Sequence, residues 1–230
     1  MDRRSICQAA STGALLACCG LWMPAHALGV ADLSDAETSK GLKAALEQGA
    51  LAAVGKLGAP DGFLGNPKVK IPLPGFLENT SSITRMLGMS RQIDELVIAM
   101  NRAAEAAVPE AKQMLLEAVK TMTVTDAKGI LTGGETSVTQ FFRSKTEKPL
   151  FQRFLPVVTK TTSKVGLARQ YNDVVAKVPV GGSEARIEDY VTTKTLDGLF
   201  YMIGQEEIAI RQNPVGYGSD AIHKVFGALK

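Results

Sequence analysis

Residues 187–212, IEDYVTTKTLDGLFYMIGQEEIAIRQ, decide how the chain is read. On a helical wheel, Val191, Leu196, Leu199, Met202, Ile203 and Ile210 form one face, while Tyr190, Tyr201 and Ile208 stand opposite, beside Asp197. A helix apolar on two sides belongs at the centre of its domain. Gly198 and Gly204 lower helix propensity, a loss expected where neighbouring elements approach closely. Glu206 projects from the main apolar face. An unpaired carboxylate buried there costs several kcal/mol or takes up a proton, so a cationic partner is expected. Arg102, Arg143 and Arg169, each in an apolar context, are the candidates, because a guanidinium fork matches a buried carboxylate.

Helical periodicity extends outward from this segment. Leu42, Leu46, Ala50, Ala53 and Leu57 recur at helical spacing over 34–57, and Gly58 and Pro60 end that helix. Further helices are expected at 76–87, 91–108, 110–122, 125–131 and 135–146. Thr125 or Asp126 and Thr136 or Ser137 are the caps expected for the last two. A long helix from Glu147 carries Pro149 near its start and a kink at Pro156, and Gly166 divides it from 167–178. A short helix near 219–227 closes the chain.

The stretch 61–75, DGFLGNPKVKIPLPG, breaks the helical pattern. Asp61-Gly62 and Asn66-Pro67 signal turns. Val69, Ile71 and Leu73 alternate with Lys70, Pro72 and Pro74. Prolines at that spacing remove ladder donors, so residues 66–75 are expected as an extended strap with its apolar side across the helices. The fold class is therefore all-α: a single-domain bundle of about eight or nine helices with one Pro-containing strap.

A second helical stretch, MNRAAEAAVPEAK (100–112), sets Asn101, Arg102 and Glu105 within two turns of Met100 and Ala104. Asn101 and Glu105 are four apart, and Ile98 shares their side, so that face is expected to be covered. Asp197 and Tyr201, also four apart, are within hydrogen-bonding reach of each other. Asn101, Arg102, Glu105, Arg143, Arg169, Asp197, Tyr201 and Glu206 thus make a candidate polar network or ligand site. The structural reading, arginines fixing helix register, outweighs the reading as a pocket.

Much chemistry is excluded by what the chain lacks. Cys7, Cys18 and Cys19 all lie near the N-terminus, and the only histidines are His26 and His223. A Cys/His zinc set and a Cys–His nucleophile are not expected in the mature chain. No phosphate loop or dinucleotide fingerprint occurs, and no cofactor is expected. Gly133-Gly134 before a helix start offers free N–H groups, but no lysine adjoins it, and a plain capped junction is the simpler reading. In QFFRSKTEKPLFQRFLP (140–156) phenylalanines alternate with cations at helical spacing, which reads as a core stripe with a solvated face.

The N-terminus reads as an export signal. Arg3 and Arg4 precede an uncharged run from about Ala9 to Met23, and Ala25-His26-Ala27 supplies the cleavage pattern after Ala27. Two alternatives stay open: a lipoprotein signal ending at Leu15-Leu16-Ala17-Cys18, with Cys18 lipidated, and a twin-arginine signal. Cleavage after Ala27 leaves 203 of 230 residues, without a thiol. The chain holds 26 Lys+Arg and 23 Asp+Glu; the signal carries Arg3, Arg4 and Asp2, so the mature part has 24 against 22, a net charge of +2. Such balance argues against a nucleic-acid partner. No later segment suits a transmembrane span, so membrane contact is expected only through lipidation.

Several motifs in order, DGFLGNPKVKIPLPGFL, MNRAAEAAVPEAK, GILTGGETSVTQFFRSKT and YVTTKTLDGLFYMIGQEEIAIRQNP, resemble the bacterial exported family catalogued as domain of unknown function 4197, over about Gly41 to Phe226. AKVPVGGSEARIEDY matches least well. The resemblance implies a mostly helical envelope protein, some of whose relatives look like lipoproteins; it implies no activity and transfers no catalytic residue. The expectation is a periplasmic, non-enzymatic protein that binds a small ligand or an envelope protein. Two alternatives remain: a carboxylate-based, possibly metal-assisted hydrolase centred on Glu105, Asp197 and Glu206, and a carrier of an apolar or lipid-like molecule.

Overall fold

In the computed structural model, residues 35–75, 90–134, 136–175 and 186–213 are described. The helices are α1 (Asp35–Gly58), α2 (Ser90–Ala107), α3 (Ala111–Lys120), α4 (Val124–Thr132), α5 (Ser137–Thr162), α6 (Gly166–Val175) and α7 (Ile187–Gln212), with a 3-10 turn at Val108–Glu110 between α2 and α3. Among the described residues the fold is all-α, with no strand. The expected count of eight or nine helices is not confirmed there. The expected export signal with Cys18, the expected helices at 76–87 and 219–227, and His223 lie outside the described residues.

α7 is the central helix, as its two-sided apolar pattern requires. It packs most extensively on α5 and then on α1, and also touches α2 and α6. Val191, Leu196, Leu199, Phe200 and Ile203 are buried on it. So is Tyr190, from the opposite side of the wheel. Phe63, Phe142, Phe154 and Phe200 are fully buried in the same core. Removing each such ring from water contributes about 2–3 kcal/mol. Tyr201 departs from the expectation of a covered second face, being 40 % exposed.

Both glycines of α7 are contact points. A Cβ on Gly198 would stand 2.7 Å from the Phe63 ring and 3.4 Å from Val69, and one on Gly204 would stand 2.9 Å from the Thr139 hydroxyl. Phe63 and Val69 come from the segment after α1, so Gly198 is where that segment lies down on the central helix.

α5 corrects the sequence reading. The helices expected at 135–146 and from Glu147 are one continuous element, with Pro149 and Pro156 inside it. Each proline removes the N–H that would bond the carbonyl four residues earlier, at Lys145 and Gln152. Those four residues all lie on the exposed face of α5, where solvent can reach a freed carbonyl. Phe142, Leu150, Phe154 and Val158 hold the inward stripe in register.

The expected strap at 66–75 follows α1 as a non-helical segment: its start is a turn, with Val69 and Lys70 N–H bonded to the Asn66 carbonyl, and 70–74 has no regular secondary structure. Val69, Ile71 and Leu73 are buried; Lys68, Lys70 and Pro72 are exposed. At the start of α4 the cap is Thr123, not Thr125 or Asp126: its hydroxyl accepts from the Asp126 N–H at 3.1 Å, and the Asp126 carboxylate accepts from the Thr123 N–H at 3.0 Å. This capping box holds the Asp126 carboxyl below its ordinary pKa, chiefly through the Thr123 backbone donor.

Candidate functional site

The polar residues of α2 bind backbone. Asn101 is fully buried. Its Oδ1 accepts the Ile71 N–H at 2.8 Å, and its Nδ2 donates to the Ile71 carbonyl at 3.0 Å and to the Val97 carbonyl at 2.8 Å. One side-chain amide thus gives the strap what a neighbouring strand would give it. One turn on, Glu105 Oε1 accepts the N–H groups of Phe63 and Leu64, both at 3.1 Å. Its Oε2 accepts Arg102 Nη1 at 2.6 Å, and Arg102 Nη2 reaches Asp61 Oδ1 at 2.8 Å. Asp61 holds φ 64°, a left-handed turn conformation that aspartate tolerates. The bonds to Glu105 and then Asp61 raise the Arg102 pKa above its ordinary value. The face is covered as expected, by the strap, although Ile98 itself is 46 % exposed.

The other acids go elsewhere. Glu206 is buried and meets Lys56 Nζ of α1 at 2.5 Å; its partner is a lysine, where an arginine was expected. Lys56, in the last turn of α1, carries no fork that would mark it as a carboxylate partner in the sequence. Asp197 binds Arg143 Nη2 at 3.2 Å, not Tyr201 as the spacing had suggested. Arg143 also pairs with Glu147 at 2.5 Å and lies 4.8 Å over the Phe200 ring. Arg169 is exposed on α6 and joins no described acid of this set. Asp197 and Glu206 are nine positions apart on one helix, hence about 13.5 Å along its axis. The carboxylates proposed for hydrolysis are thus held apart by separate partners.

Two further buried acids escaped the sequence reading. Glu188 is bonded through both oxygens by Asn172 Nδ2, at 3.1 and 3.0 Å, and Asn172 Oδ1 accepts the Ile187 N–H at 2.9 Å. A side chain of α6 therefore caps α7. Glu207 Oε1 accepts Arg211 at 2.8 Å and the Ser137 hydroxyl at 3.4 Å, at the first turn of α5, where Thr136 makes no side-chain cap. The Glu207–Arg211 spacing of four was the signal for this pair. Glu207 thus stands at the positive, N-terminal turn of α5, while Gly133-Gly134 themselves line a separate open hollow. Its Oε2 is buried without a hydrogen-bond partner, and burial pushes its pKa up against the opposing pull of Arg211.

Concave surface lies in several places among the described residues. An open hollow of about 470 Å³ lies between α4 and the start of α5, lined by Asp126, Gly133, Gly134, Ser137 and Gln140, with no cation on its lining. Two others contrast. Between α1, α5 and α7, Leu46, Ala50, Ile203 and Ile210 enclose about 10 Å³ beside Glu207, room for one water. A carrier needs a cavity of about 300 Å³ or more for its cargo, so this space does not serve the apolar-carrier reading. Between the strap and α7 lies an open groove of about 340 Å³, lined by Lys68, Lys70, Lys194, Asp197, Gly198 and Tyr201. Of the expected site residues, Asp197 and Tyr201 line this groove; Arg143 braces Asp197 from α5. Asn101, Arg102 and Glu105 fix the segment that forms its other wall. The three lysines were not singled out in the sequence, because no residue spacing brings Lys68 and Lys70 opposite Lys194.

No described helix is long and apolar enough to cross a membrane. No group of three metal-ligating side chains occurs among the described residues. No curated protein and no solved structure matches the chain. Residues 32–227 match the family described as "Protein of unknown function (DUF4197)", so the chain belongs to that family.

Proposed function

We propose that the protein is an exported, non-enzymatic binding protein of the cell envelope, and that the groove between the strap and α7 is its recognition surface. One observation carries this reading: the buried acids are engaged in architecture, while cations gather on an open groove. Glu105 serves backbone, Glu188 and Glu207 serve helix ends, and Glu206 serves α1. A general acid or base must stand beside a space for substrate with its proton free to move. Neither Glu105 nor Glu206 lines the groove. The export signal at residues 1–27 supports the envelope location.

Native mass spectrometry of the full-length gene product, expressed at its own level and recovered from the periplasm, tests the reading. A non-covalent adduct that disappears on gentle activation is expected. Recovery in the cytoplasmic fraction with its N-terminus intact, or a bare chain under all conditions, would overturn it.

A further inference from the structure

The groove has a definite chemical character. Lys68 and Lys70 lie two residues apart on the exposed side of the strap, and Lys194 projects from α7 across the groove. No carboxylate among the described residues pairs with Lys68 or Lys70. Lys194 stands 3.9 Å from Asp197 Oδ2 and 5.8 Å from the centre of the Tyr190 ring. Asp197, the only acid on the lining among the described residues, is offset by Arg143 at 3.2 Å. Tyr201 adds an exposed ring and a phenol. The mature chain is nearly neutral, so this concentration of like charge is local.

We infer that the groove binds a small, free, multivalent oxyanion, with Lys68, Lys70 and Lys194 as its charge partners and the Tyr201 hydroxyl as a hydrogen-bond donor. The inference rests on the groove being the recognition surface and adds the ligand class. Lysine ammonium groups are compact point charges with rotatable donors, suited to phosphate and carboxylate oxygens approached from several directions. Cations on two walls need an anion with charge on two sides. The volume lies in the range of small-molecule sites, and a concave lining disfavours a flat lipid surface. Rigidity comes from beneath. The Ile71 N–H and carbonyl are fixed by Asn101, and Tyr190 Oη donates to the Pro72 carbonyl at 3.1 Å. The strap backbone that carries the lysines thus needs no ordering step, which favours affinity.

Calorimetric titration of the full mature chain with sodium tripolyphosphate and, separately, citrate tests this. Saturable one-to-one binding of at least one probe is expected. It should weaken between about 20 mM and about 150 mM salt, as the screening length falls to about 8 Å. Lys68→Gln, Lys70→Gln and Lys194→Gln should each weaken it about fivefold. Asp197→Asn should tighten it about two- to fivefold, the opposite sign to any structural damage. Lys148→Gln, on the exposed face of α5, should leave it unchanged. No binding of either probe at 1 mM in about 20 mM salt, or equal loss from Lys148→Gln, would overturn the inference. An uncharged adduct in the periplasmic mass spectrum would overturn the anion assignment and leave the binding reading standing.

Discussion

The strap side of α2 and the C-terminal end of α7 bury similar groups and treat them differently. On α2, Asn101 and Glu105 are buried with every side-chain oxygen bonded, largely to backbone donors. On α7, Glu207 is buried to the same degree, but one oxygen has no partner. Saturated polar groups specify a structure, because removing one strands several donors. A half-saturated carboxylate costs stability at neutral pH and leaves room for improvement.

The largest effect that would break this contrast lies at Glu105. Glu105→Ala strands two N–H groups and uncouples Arg102, and should lower unfolding free energy by about 3–5 kcal/mol in urea denaturation. A loss under about 1 kcal/mol would place the strap's anchorage elsewhere. Asn101→Ala should cost about 2–3 kcal/mol, since the Ile71 amide stays buried without its acceptor. Gly198→Ala drives a methyl into the Phe63 ring, which is itself fully enclosed, and should cost about 1–3 kcal/mol. Glu206→Gln should lower the melting temperature with a loss of about 1 kcal/mol, because Lys56 is more than half exposed and solvent screens the pair.

The smallest effect is a dependence on pH. Glu207 has a folded pKa raised above its unfolded value of 4.5, so between the two the native state binds the extra proton. Stability then falls as pH rises through that window and is regained on acidification. Glu207→Gln removes this titration and should lie within about 1 kcal/mol of wild type at neutral pH. Its stability difference from wild type should change as pH falls toward 4.5, in favour of wild type. Asp126 behaves inversely: its lowered pKa contributes stability above 3.8 that is lost in stronger acid.

The bounds of α7 and the apolar stripe of α1 could be read directly, because periodicity reports burial and burial fixes both helices. The joining of two expected helices into α5 could not, because whether a helix continues through a proline depends on the packing that holds its inward stripe, which is a tertiary property. Asn101 and Glu105 stood out by type and spacing. Their partners did not, because the N–H groups of Phe63, Leu64 and Ile71 are backbone and carry no residue signature. The same blindness hid Glu207 and Asn172, which cap helix ends from other helices. Arg143, Asp197 and Tyr201 stood out in the sequence too, but grouped with residues that serve the opposite side of the strap.

Amide hydrogen exchange at Ile71 tests most directly whether the buried polar residues of α2 serve to lock the strap. In the wild-type chain that proton should exchange about as slowly as the core amides of α5 and α7, and in Asn101→Ala it should exchange far faster while those core amides stay protected. Rapid exchange at Ile71 in the wild-type chain, or a uniform change across all three segments in the variant, would contradict the account.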